Sequence, residues 1–591
     1  MSGDGQPHHS QRPVDTAPDL DEATRYLCAA AHLDEEFCDK AIAEYLVEPV
    51  RAIPPAPGVD SVAVLREAVA AQTRRRIRDG LLLALLALLV IVAKTSVIYW
   101  AAVVTVAIAL QSIGGGRTRR IVAGIARLLA ASTGRERRIA ASNAKLLAAG
   151  AGRSRGNLAV LVGVTWIFFG FLFPAVITSA ESALNPRSTR PPDNLLPLSY
   201  ISVSWPVLLI GSLMLIVLAF DRLTVAKLMA SSFQRDRFEP DAGRASSQWE
   251  RLARSIGHDS FRAELQRVAH ADENSQIAGQ ADVVVYRGET PFIGAGELVA
   301  HHVIALPLEP SEDERDPAPI SVNDLHHHVA ESLATLRSPS SLSPGRRLEQ
   351  LQHSEQVLMP SDRLLFNYAG QTRLPVLPDL SHAPLTHLPL SAARALAEDP
   401  LEWARYYACF RVESWDRDLS TSCYLHIGTD QRMLYLEWTY CTLYPVREDY
   451  RVADRPTDSP VVTVGRSLIE LIVLPASVPA RLRSAFRRRK ISIQRSGELI
   501  PDRYGAAQSI RELAADTGTQ TYFQDADTER YINIVDRTLV RAVGKFLEER
   551  GYSVVEFMKI ADSTINNYNI QGDVTNSVIG NKNRDIRMGT R

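Results

Sequence analysis

Cysteine is scarce: there are five in 591 residues, at positions 28, 38, 409, 423 and 441. An odd number without paired spacing excludes a disulfide framework and reads as reduced thiols on the cytoplasmic side. Net charge is lacking too. Sixty-six basic residues stand against 67 acidic ones, so no nucleic acid partner is expected. Catalytic signatures are missing: there is no Gly-x-Ser-x-Gly elbow and no His-Glu-x-x-His. Gly114-Gly115-Gly116 and Gly544-Lys545 lack the strand, loop and Lys-Ser/Thr of a phosphate cradle. Cys423 and His426, three apart on a strand, face opposite sides and share no metal. His326-His327-His328 fan around a helix start and read as solvated, and His301-His302 point apart. No cofactor, metal or catalytic residue is expected, although catalytic groups can converge from distant segments.

What the chain does have is apolar runs: Leu81 to Ala93, Val97 to Leu110, Leu158 to Ala180 and Ile201 to Phe220. About 20 apolar residues cross a bilayer core, which points to a multi-pass membrane protein. Leu81 to Gln111 as one helix would be about 46 Å long, beyond the core of roughly 30 Å, so a tight hairpin turning at Lys94-Thr95-Ser96 is expected. It either spans or is re-entrant. Arginines before the first run, between the second and third, and after the fourth place both termini in the cytoplasm, with Glu181 to Ser199 outside. The runs are almost free of ionisable residues, which speaks against transport.

The expected fold is therefore a helical transmembrane region of four spans, the first two a tight hairpin, plus a cytosolic α+β domain. Residues 1–18 read as disordered and 19–80 as N-terminal cytosolic helices. The hairpin occupies 81–113, a basic amphipathic loop 114–156, and spans three and four 157–221. The α+β domain takes 222–565 and an Asn-rich tail 566–591. Within the domain, strands are expected over Asp282–Tyr286, Leu298–Leu306, Arg363–Tyr368, Arg405–Ser414, Thr421–Ile427 and Met433–Leu443. Helices are expected over Val322–Leu336, Thr528–Glu549 and Ser553–Ile565, with Arg466–Arg489 a helical stretch broken at Pro475 and Pro479.

Membrane-surface residues follow from basic clustering: Arg74, Arg75, Arg76, Arg78, Arg117, Arg119 and Arg120 beside the first hairpin, and Arg487, Arg488, Arg489 and Lys490 in the soluble part. Anionic inner-leaflet lipids are their natural partners. In the tail, Ile570, Val574 and Val578 share one parity among asparagines, with Ile579 beside them. Asn-rich segments with an apolar face suit stacked strands, so self-assembly through 566–583 is expected. Val578-Ile579-Gly580-Asn581-Lys582-Asn583 resembles the short amyloid-type signalling motifs of the RIP-homotypic class and similar bacterial tails, with Ser577 departing from the usual apolar residue. The N-terminal helices, the basic-flanked hairpin and the tail together resemble multi-pass membrane proteins of high-GC bacteria. That resemblance implies a bacterial cell membrane and this architecture, and no activity.

The function expected is a membrane-anchored cytosolic binding or signalling scaffold with a protein partner. The alternatives are an enzyme with an unrecognised site in the cytosolic domain and, third, a small channel or transporter.

Overall fold

The computed structural model describes residues 20–92, 205–235, 237–238, 248–274, 279–311, 317–338, 348–368, 375–430, 432–454, 460–486 and 500–565. The chain opens with α1 (Leu20–Leu33) and α2 (Glu35–Ile42), the latter extended by a π-helical turn over Ala43–Val47. Asp34 caps α2, its carboxylate accepting from the Glu36 and Phe37 amides at 2.8 and 3.3 Å. α3 (Ser61–Val92) packs its first half against these helices through Val64, Leu65 and Ala68, all fully buried beside Leu27, Phe37 and Leu46. α5 (Gln248–Ser260) and α6 (Arg262–Asn274) complete this helical module. Gly257 of α5 lies so close to α3 that a Cβ would meet Val69 Cγ1 at 2.7 Å, so only glycine admits the approach.

Beyond Gly80, α3 leaves the module and enters a second apolar cluster. Leu82 and Leu89 pack there with Met214, Leu215 and Leu218 of α4 (Trp205–Ser231) and with Leu471 and Leu474 of α10 (Pro460–Phe486).

The third body is a mixed seven-stranded sheet of order β2-β7-β6-β5-β3-β1-β4. Its strands are β1 (Gln280–Tyr286), β2 (Glu297–Pro307), β3 (Leu351–Pro360), β4 (His387–Pro389), β5 (Arg405–Ser414), β6 (Leu419–Thr429) and β7 (Met433–Leu443). β1 and β3 run parallel, and the other neighbours are antiparallel. The β6–β7 turn is tied by Asp430, whose Oδ1 accepts from the Arg432 and Met433 amides. α7 (Val322–Ala334), α9 (Leu390–Glu398) and α11 (Tyr522–Glu549) accompany the sheet, with α8 (Ser361–Phe366) following β3 and α12 over 555–565. In α11 the recurrence of Ile532, Val535, Leu539, Val543 and Phe546 builds one buried face, as its spacing predicts.

The four-span region does not stand. Among the described residues two helices are long and apolar enough to cross a membrane, Pro206–Ser231 and Val462–Leu482. The second lies where the sequence reading placed soluble chain. Pro475 and Pro479 do not break α10, which runs through both. Ser477 Oγ, between the two prolines, donates to the Leu474 carbonyl at 2.8 Å. The first expected hairpin arm is no separate element either: α3 is one helix from Ser61 to Val92. It runs past Arg74, Arg75 and Arg78 because Arg74 and Arg78 find acidic partners inside the protein and Arg75 donates to the Ala31 carbonyl. The turn at 94–96 and the runs 97–110 and 158–180 lie outside the described residues.

Smaller corrections follow the same logic. Arg363 to Tyr368 was expected as a strand, but α8 occupies 361–366, started by Pro360 in an extended conformation. β3 was not foreseen.

Candidate functional site

On the sheet face away from α11, side chains of one parity line a cleft walled by α8 and the loop before β2. β7 sends Leu436, Trp438 and Tyr440 into the core and turns Glu437 and Thr439 the other way. β2 places His301 opposite Thr439, and the two side chains meet at 2.8 Å. β5 contributes Arg405 and Tyr407, both donating to Glu437 at 3.3 Å. Phe292, from the loop before β2, packs edge-on against Tyr407 with centroids 5.7 Å apart. Arg363 and Phe366 of α8 and Trp403 form the opposite wall, and the enclosed cleft measures about 850 Å³. Phe366 is 80% exposed at its rim.

The loop forming one wall is fixed. The Gly294 and Gly296 amides donate to Glu512 Oε1 at 2.8 and 2.9 Å. Gly296 has φ +88°, and a Cβ there would fall 2.3 Å from the Thr442 carbonyl oxygen. A cleft with aromatic rings, two arginines and three carboxylates among its described residues can hold an amphipathic ligand by ring contact and charge-assisted hydrogen bonds.

A second constellation sits where α3, α4 and α10 converge. Arg74 Nε lies 2.9 Å from Asp221 Oδ1, and Arg78 bridges Asp79 and Asp221 at 2.9 and 3.1 Å. Arg481 donates to Asp79 at 2.6 Å and to Glu470 at 2.7 Å, and Glu470 also takes Arg222 at 2.8 Å. Next to it, Arg74 Nη1 donates to His32 Nδ1 at 3.2 Å, so His32 Nε2 donates to Glu67 at 2.9 Å. Burial pushes the His32 imidazole below its ordinary value. Glu67 also accepts from both Arg254 nitrogens at 2.5 and 2.7 Å. Burial opposes its charge, yet hydrogen bonds and charge from His32 and Arg254 pull Glu67 down to about 2.

Of the expected membrane-surface residues, Arg74, Arg75 and Arg78 thus come together, but they turn inward, and Arg74 and Arg75 are buried. Arg76 is half-buried on the same helix. Arg117, Arg119, Arg120, Arg487, Arg488, Arg489, Lys490, and Ile570, Val574, Val578 and Ile579 of the tail lie outside the described residues. The acidic partners of Arg74 and Arg78, Asp79 and Asp221, are not singled out by the sequence, where they stand as charges at helix ends. His326 departs from expectation: it is buried against Tyr406, ring centroids 5.0 Å apart, and burial lowers it to about 3. Cys423 and His426 do face opposite ways. His426 binds the Tyr406 carbonyl at 2.9 Å, and the buried Cys423 neighbours Tyr440 and Asp536.

The helical module joins both constellations. Arg25 and Tyr26 donate to Asp454 at 2.7 and 2.5 Å, and Arg447 and Tyr450 both donate to Asp34 at 2.6 Å. Glu44 accepts from Arg287 and the Ala507 amide at 2.6 and 2.7 Å. No match emerges among curated proteins or among solved structures. Residues 301–582, a little under half of the chain, are similar to the family described as the AbeC-like domain; the similarity takes in most of the sheet and α10 but leaves out β1.

Proposed function

We propose that the chain is a membrane-anchored binding or signalling scaffold, with its helical module and sheet domain on the cytoplasmic face of a bacterial cell membrane. One observation carries the reading: the converging helices are apolar on their outer sides as well as their inner ones. α4 buries Met214, Leu215 and Leu218 yet exposes Leu209, Leu213 and Phe220. α3 exposes Leu81, Leu88 and Ile91, and α10 exposes Val462, Ile469 and Val473. A helix apolar all round suits lipid, not water. The arginines at the root of these helices give the cytoplasmic side.

Chain length refines the anchor. Asp454, before α10, binds the module through Arg25, and the Asp502 carbonyl, after it, accepts from Arg51. If α10 crossed the bilayer, residues 487–499 would have to recross it carrying Arg487, Arg488, Arg489, Lys490 and Arg495, at a cost of several kcal/mol, about 3 for each centrally placed charge. α10 is therefore a wedge entering from one side, while α3 leaves the module and α4 returns to it. The same proposal gives residues 566–583 a role in chain-to-chain assembly, on the sequence pattern alone. The cleft on the sheet is where the scaffold takes its ligand or partner segment.

The test is extraction. Expressed full-length chain should stay with membranes through alkaline carbonate and be released by detergent. Release by carbonate alone would sink the anchor.

A further inference from the structure

The arginine cluster at the root of the apolar helices encloses a cavity of about 650 Å³. Six arginines (Arg74, Arg75, Arg78, Arg222, Arg466 and Arg481) line it against four carboxylates, Glu35, Asp79, Asp221 and Glu470. Three of those carboxylates are already engaged by Arg74, Arg78, Arg222 and Arg481. His32, also on the wall, is held toward its neutral form and offsets nothing.

Among the described lining residues the arginines outnumber the carboxylates by two, and one of the arginines, Arg75, is locked in place. Arg75 is 6% exposed; its Nη2 donates to the Ala31 carbonyl at 2.9 Å, and its Nη1 has no hydrogen-bond partner among the described residues. A buried guanidinium nitrogen without an acceptor is costly unless something else supplies one. A planar fork with a free donor, beside arginines already paired to the wall's carboxylates, can give an incoming oxyanion charge-assisted hydrogen bonds, and a phosphate accepts them bidentately. The cavity lies where Asp79 and Asp221 mark the ends of the apolar segments of α3 and α4, the depth at which lipid phosphates sit.

We propose that this cavity binds a single phosphate group, carried by an anionic phospholipid of the inner leaflet. This rests on the membrane reading for its source of phosphate, and on the geometry alone for the site.

Detergent-solubilised full-length chain is titrated with a short-chain phosphatidic acid, with phosphatidylcholine of the same chain length, and with inorganic phosphate. Binding of phosphatidic acid is expected where phosphatidylcholine gives none. Arg75→Gln should weaken it about tenfold or more, the effect of removing one charge-assisted contact. Should Arg75→Gln fail to fold, as its melting curve would reveal, the exposed Arg466→Gln provides the second variant, with a smaller loss. Lys545→Gln, at an exposed position of α11 outside the cavity lining, should change nothing. Inorganic phosphate binding as tightly as the lipid also supports the site and assigns it a soluble phosphate. Equal binding of both lipids, or a folded Arg75→Gln chain with undiminished affinity, overturns the proposal. Carbonate resistance should be the same in all variants, so loss of the site and loss of the anchor are read separately.

Discussion

Where α3 meets α5, a buried carboxylate keeps its charge. Glu67 sits between Arg254 and His32 and is drawn down to about 2 by them. Behind the sheet the solution is opposite. Asp536 accepts from Trp438 Nε1 at 2.9 Å and Tyr440 OH at 2.6 Å with no cation beside it, and burial pushes it up to about 6. His326 and His302 are pushed down to about 3 and about 4 by burial and lean toward the neutral form. The module and helix root are thus built from mutually dependent charges, which fix how helices distant in sequence come together. Behind the sheet, Asp536, His326 and His302 instead tolerate burial by leaning toward their uncharged forms. The first design is vulnerable to loss of one partner, the second to protons.

The largest effect follows from removing a partner in the module. Glu67→Ala leaves Arg254 without its carboxylate in a site where both side chains are mostly buried. Uncompensated buried charge costs about 3–5 kcal/mol, so the melting temperature of the full chain should drop sharply. Adding Arg254→Met to a Glu67→Leu chain should restore most of the loss, because no charge is then stranded. A small loss in the single variant would mean the network contributes little and the contrast between the two regions is false.

A middle-sized effect belongs to the sheet domain. His326 has a folded-state value of about 3 against an ordinary 6.5. Its contribution is complete above pH 6.5 and is lost as pH falls toward 3, by about 1.4 kcal/mol per unit, so roughly 2 kcal/mol is gone at pH 5. Asp536 acts in the other direction. Its value rises from 3.8 to about 6, so the folded chain binds that proton more tightly and gains stability as pH falls from about 6 to 3.8. His326→Phe should therefore flatten the acid limb of the stability curve, and Asp536→Asn should steepen it. Parallel curves for the wild type and His326→Phe, measured by denaturant melts from pH 7.5 to 4.5, would remove the histidine from the account.

The same contrast explains what was legible in the sequence. α11 and the β6–β7 hairpin were readable because their signals are local, a helical recurrence of apolar residues and a Gly-Thr-Asp turn. β3 was hidden by its polar start, since His353, Ser354, Glu355 and Gln356 look like loop. Glu355 can stay in a strand because Tyr406 OH and Arg394 Nη2 donate to it at 2.7 and 2.6 Å, partners 39 or more residues away. Arg74, Arg75 and Arg78 were read as facing lipid headgroups for the same reason. Arg78 meets Asp221 across 143 positions of sequence, and Asp79 meets Arg481 across 402. Composition shows an excess of arginine near the membrane, and only folding shows which carboxylates neutralise it. The cleft was invisible because its residues come from β2, β5, β7 and α8, none carrying a motif.

The smallest effect concerns the turn between β5 and β6, where Trp415, Asp416 and Arg417 take φ values of 55°, 53° and 64°. Three successive non-glycine residues in the left-handed region are unfavourable by about 1 kcal/mol each, less for aspartate, whose short polar side chain tolerates it. The neighbours hold the turn: Trp415 Nε1 donates to Asp527 at 3.1 Å and Arg417 lies 3.1 Å from Glu413. Asp418 accepts from Arg451 and from the Val446 amide. Asp416 is exposed, so replacing it removes backbone strain and little else. Asp416→Gly should raise stability by about 0.5 kcal/mol, the relief of the left-handed φ less the greater entropy of glycine in the unfolded chain. Trp415→Gly should lower it, because the Asp527 contact is lost with the indole. If Asp416→Gly destabilises as much as Trp415→Gly, the turn is held by its aspartate side chain, and the strain assigned to it is not there to relieve.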